Sequence, residues 1–148
     1  MPNIAPEYEV VPEFAEISSA LVSKYPEIFP GVDADKIQCV AIVNKSRSEK
    51  KETLWTVKAV PMPIRMDCPY AWYIELFMDD WVELTKKQRQ LLVADALCSI
   101  PAGGEEGKVC QPNMKDYSVM LRTFGVDYLK KSDSELRDLV QDNIDWVS

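Results

Sequence analysis

Apolar residues recur along the chain with two distinct periods, and the switches between them divide it into elements. From Pro12, the residues Phe14, Ile17, Ala20 and Leu21 fall at helical spacing, and Pro26, Pro30 and Gly31 close that run. Residues 37–44 are β-branched and of strand length, and residues 54–60 alternate at period two. The stretch between them, 45–53, is polar and basic. Together these predict a β-hairpin with a basic tip. After the link Pro61-Met62-Pro63, residues 71–77 predict a third strand. Thr85-Lys86-Lys87-Gln88 reads as a capping box that opens a helix through residue 99, carrying Leu91, Leu92, Leu97 and Cys98. Pro101 and Gly103-Gly104 end it. A further helix is predicted over 113–124, with Val119, Met120 and Phe124 inward and Gly125 as its stop. Ser132-Asp133-Ser134-Glu135 reads as another capping box, ahead of the stripe Leu136, Leu139, Val140, Ile144 and Val147. One helix, three strands and three helices in that order predict an α+β domain over residues 12–148, with an extended arm at 1–11.

Composition narrows the chemistry. The 148 residues are 47% hydrophobic, enough for one domain to bury a core without disulfides or metal. Histidine is absent. That excludes Ser-His-Asp, Cys-His and His-metal mechanisms at once. Cys39, Cys68, Cys98 and Cys110 share no CxxC spacing, and the first residues lack the basic and apolar regions of a signal peptide. Reduced thiols and a cytoplasmic location are the expectation. No apolar run reaches the roughly 20 residues of a membrane span.

The net charge of −7 is distributed in blocks: −6 over residues 1–35, +4 over 36–60, −4 over 61–83, +3 over 84–131 and −4 over 132–148. No stretch offers the dominant basic surface that nucleic acid requires, so no direct nucleic-acid contact is expected. The acidic blocks are either solvated ends or a face for a basic partner groove. Asp79-Asp80 could bind a divalent cation, or could simply cap and solvate a helix start. Gly103-Gly104-Glu105-Glu106-Gly107 lacks the Lys-Ser/Thr of a phosphate loop, and its carboxylates would repel phosphate; Glu105 and Glu106 remain candidate interaction residues. Trp55, Trp72, Tyr73 and Trp81 could form a platform, though core packing explains them more simply. Trp146 is a candidate exposed anchor, or the docked end of the last helix.

The segment from Trp81 to Ser99 resembles the core of the phage metallopeptidase family, a zincin-like group. Those proteins show a Trp, a Leu-Thr-x-x-Gln helix start and then His-Glu-Leu-Cys-His. Leu84-Thr85, Gln88 and Leu97-Cys98 carry the likeness here. Weaker likeness at Lys24-Tyr25-Pro26, at residues 57–60 and at 117–125 extends it over about residues 12–128. The resemblance implies a zincin-like fold, but the catalytic letters depart from it. The two histidine positions hold Asp95 and Ser99, and the position of the glutamate that activates water holds Ala96. A further family histidine falls near Pro112 or Asn113. Loss of one general base costs about 10²–10⁴-fold in rate, and loss of the metal shell removes the hydrolysis itself. A substitute metal site from Asp95, Cys98, Cys110 and Asp116 is conceivable, but small core thiols and a solvated carboxylate account for those residues.

These readings lead to an expectation of no enzyme activity, no cofactor and no metal. The expected function is a phage- or prophage-derived module that binds a bacterial host protein or nucleoprotein complex. An anti-CRISPR or anti-restriction inhibitor is the analogy that the phage setting suggests. The alternatives are a structural or self-assembling phage protein, in which the chain is a homo-oligomer, and a hydrolase with a carboxylate and thiol site.

Overall fold

The structure, a computed structural model, describes residues 5–47, 54–101, 105–109, 120, 123–124, 131 and 135–146. The elements are β1 (Tyr8–Val10), α1 (Pro12–Lys24), β2 (Ile37–Ile42), β3 (Trp55–Ala59), α2 (Ile64–Asp67), β4 (Trp72–Phe77), α3 (Met78–Glu83) and α4 (Lys86–Leu97), with a 3-10 turn at Ala34–Lys36 before β2. This is an α+β fold, and the four strands form one mixed sheet in the order β1-β2-β4-β3. The arm ahead of Pro12 thus contributes a strand, β1, antiparallel to β2.

The runs predicted over 37–44 and 54–60 do contain strands, β2 and β3, but these are not the two arms of a hairpin. β4 lies between them, parallel to β2 over Ile37–Ile42 and antiparallel to β3. The reason is burial. Trp72, Ile74 and Leu76 are the bulkiest inward set of any strand, all nearly inaccessible, and a central place covers both edges of their strand. The chain after β2 is tied instead to the far end of β4. Ser46 Oγ donates to Asp79 Oδ2 at 2.6 Å, and Arg47 Nε donates to Asp80 Oδ2 at 3.0 Å.

α1 starts with Pro12, whose missing N–H costs nothing in the first turn, and carries Glu13 at its positive end and Lys24 at its negative end. Phe14, Ile17, Ser18 and Leu21 form its buried stripe. The chain then reverses with Gly31 at φ 72°, a left-handed conformation that suits glycine. α4 has the predicted capping box: Thr85 accepts from the Gln88 N–H, and the Gln88 side chain accepts from the Thr85 N–H. Its middle is buried nearly all round, from Gln90 to Ala94 and again at Ala96 and Leu97. α1 and α4 pack together on one face of the sheet, against Ile37, Cys39 and Ala41 of β2 and Trp72, Ile74 and Leu76 of β4.

Of the helix predicted over 113–124, Met120, Thr123 and Phe124 are described and helical, with Met120 in the core. Its remaining residues, Gly125, Ser132-Asp133-Ser134 and Val147 lie outside the described residues. The apolar stripe beyond them does dock, with Leu136 and Leu139 buried, but residues 135–146 run in turns rather than as a regular helix. Side chains take the backbone groups a helix would pair internally. Lys24 Nζ donates to the carbonyls of Val140 (2.7 Å) and Asp142, and the Tyr25 hydroxyl to that of Leu139 (2.8 Å). Asp138 accepts from the N–H groups of Val140 and Gln141 at 2.9 and 2.8 Å, in the manner of an Asx turn.

Candidate functional site

The site to be tested is the end of α4, where a zincin would present its metal-binding turn. The helix ends at Leu97, with Cys98 as its C-cap, so Ser99 lies in the turn beyond it. Ser99 is buried, and its hydroxyl donates to the Ala96 carbonyl oxygen. Ala96 is sealed in the core, whereas Asp95 is half-buried and engaged with a neighbour. Asp95 and Ser99 therefore do not open together onto a cleft. A hydroxyl committed to its own backbone, one carboxylate and a methyl group do not make a zinc shell, which takes three or four thiolate, imidazole or carboxylate ligands. Among the described residues no group of three His, Cys, Asp or Glu side chains could hold a metal. Cys110 and Asp116, the other members of the conceivable substitute site, lie outside the described residues, as do Pro112 and Asn113.

Cys39 and Cys98 are buried and Cys68 half-buried. Desolvation pushes the Cys39 thiol far above its ordinary pKa, which makes it inert. Cys68 Sγ lies 3.8 Å from the Tyr73 hydroxyl, a contact that raises the tyrosine pKa together with its partial burial. Trp72 and Trp81 are core residues and Trp55 packs against the core, so the four aromatics do not share a platform; Tyr73 alone turns to the other face of the sheet.

The acidic candidates are built into the fold. Asp79 and Asp80 occupy the first turn of α3, where its dipole favours them, and are held by Ser46 and Arg47. Glu106 accepts from Arg65 Nε at 2.6 Å and from Lys36 Nζ at 3.2 Å, which lowers its pKa. Glu105 pairs with Lys108 at 3.0 Å, and the Trp72 indole fixes the same loop by donating to the Lys108 carbonyl at 2.8 Å. Trp146 is a docked residue rather than an exposed anchor. Its ring meets those of Tyr25, Phe29 and Phe124 edge to face, at centroid distances of 5.3, 6.0 and 5.4 Å.

Two polar ties had no sequence signal beyond their residue types. Gln90 is buried in α4; its Nε2 donates to Asp138 Oδ1 at 3.0 Å and its Oε1 accepts the Leu139 N–H at 2.9 Å. Arg89 grips both oxygens of Glu13 at 2.6 and 3.0 Å, donates to the Trp81 carbonyl and lies 5.0 Å from the Trp81 ring centroid. Together they join α1, α3, α4 and the C-terminal turns.

An α+β domain whose long capped helix sits under a small mixed sheet is the class that fold and site define. The family model for the putative phage metallopeptidases matches residues 6–143, and the chain belongs to that family of zincin-like phage proteins. No curated protein and no solved structure matches the chain. Among the described residues no helix is long and apolar enough to cross a membrane.

Proposed function

We propose that this chain keeps the family scaffold without the family's chemistry and acts by binding a protein. The observation that carries this reading is the end of α4, where Ala96 and Ser99 are turned into the core and the Ser99 hydroxyl is spent on a backbone carbonyl. A scaffold freed from catalysis acts through its surface. Among the described residues several cations are committed within the chain: Lys36 and Arg65 to Glu106, Arg47 to Asp80, Arg89 to Glu13, and Lys24 to carbonyl groups. Exposed carboxylates at Glu16, Glu27, Asp35, Glu83 and Asp145 carry the net charge outward. Such a surface suits a basic groove on a bacterial host protein or nucleoprotein complex, a defence nuclease being the kind whose groove an acidic protein would occlude. Capture from a bacterial lysate tests it, with identification by mass spectrometry. The expected result is a nucleic-acid-processing complex retained at low salt and released as salt rises. Retention indifferent to salt, or recovery of no such complex, contradicts it.

A further inference from the structure

The sheet has a second face, and its residents are unlike those of the first. Strand register places three rows on it: Tyr8, Ile42 and Phe77 across β1, β2 and β4; Val10, Val40, Glu75 and Thr56 across all four strands; and Gln38, Tyr73 and Lys58 across β2, β4 and β3. None of its apolar members belongs to the core cluster formed with α1 and α4. Tyr8 and Val10 are 47% and 53% exposed, whereas Ile42, between Tyr8 and Phe77 in its row, is 8% exposed. At the β3 end the exposed side chains of Met62, Ile64 and Met66 extend the apolar surface, and Ile64 lines a groove of about 320 Å³ shared with Lys58, Tyr73 and Glu75.

We propose that this face is the contact surface between two copies of the chain, packed sheet to sheet about a twofold axis. Charge selects the occupant. Among the strand residues of the face there is one cation and one carboxylate, Lys58 and Glu75, and these pair with each other at 2.9 Å. The face is thus neutral across its strands on a molecule of net charge −7. Two copies meet there without the like-charge repulsion that the surface carboxylates impose elsewhere, while a basic partner finds nothing on it to attract it. Size agrees. Strands of three, six, five and six residues cover roughly 300 Å² before side-chain relief is counted. Two such faces with the α2 side chains approach the roughly 1,000 Å² that a specific interface needs. Apolar sheet faces stack at about 10 Å with their side chains interdigitated, which Tyr8, Val10, Val40 and Phe77 are placed to do. The dimer stands apart from host binding and holds or fails without it.

Sedimentation equilibrium on the full chain at about 100 μM, where a micromolar interface is almost fully occupied, tests the proposal. The expected mass is twice the 16.9 kDa of one chain. Val10→Glu, at an exposed position, should weaken the dimer by about tenfold or more by burying an unpaired charge in the contact, with an unchanged circular dichroism spectrum. Val82→Glu, exposed on α3 and off this face, should leave it intact. A monomer at that concentration, a dimer that Val10→Glu leaves whole, or one that Val82→Glu also breaks would each overturn it.

Discussion

Gln90 and Asp138 show what a single polar residue does in this core. Replacing Gln90 with Leu strands the Leu139 N–H and removes a donor from Asp138. A loss of about 1–3 kcal/mol in urea unfolding is expected, the cost of a buried unsatisfied donor. Burial alone would raise the Asp138 pKa, but the Gln141 N–H, the Gln90 amide and the Val140 N–H together hold it below the ordinary aspartate value. A carboxyl whose pKa is lower folded than unfolded stabilises fully above its unfolded pKa, and that stability fades as pH falls through the folded one. The C-terminal turns should therefore loosen below about pH 4, and Asp138→Ala should flatten the acid limb of a plot of urea midpoint against pH. An equally steep limb in the variant would assign it to other carboxylates. None of this was legible in the sequence, because a glutamine in a helix and an aspartate in a polar segment look solvated until the fold brings them together over 48 positions.

At the scale of elements, α4 was the most legible and its far end the least. The capping box depends on four adjacent residues, so Thr85 and Gln88 announced it; Thr85→Ala should cost about 1 kcal/mol by thermal or chemical unfolding. The partner of β2 could not be read that way. Nearness in sequence favours a hairpin, whereas the apolar weight of Trp72, Ile74 and Leu76 puts β4 between the two strands. The stripe from Leu136 to Ile144 packs as expected, yet Lys24, Tyr25 and Asp138 bind its backbone and displace the helix. Ser99 separates motif from geometry. Its position matches a family ligand in sequence, but it lies past the helix end and inside the core. Ser99→His should therefore destabilise the fold by about 1–3 kcal/mol through overpacking; a variant of undiminished stability that binds zinc would show that the turn opens onto a usable cleft.

At the scale of the whole molecule, a chain of the putative phage metallopeptidase family carries Asp95, Ala96 and Ser99 where the resemblance places His, Glu and His. Its charge also divides: carboxylates face solvent around the helices, while on the second sheet face the strand residues Lys58 and Glu75 offset each other. The absence of histidine states the central claim in compositional form, and the end of α4 gives it a place. Zinc titration of the untagged protein, followed by native mass spectrometry, is the most direct test. The account predicts the mass of the metal-free chain, with no zinc retained after brief dialysis and no rise in melting temperature on adding zinc. One zinc ion per chain, lost together with stability on Asp95→Ala, would contradict it.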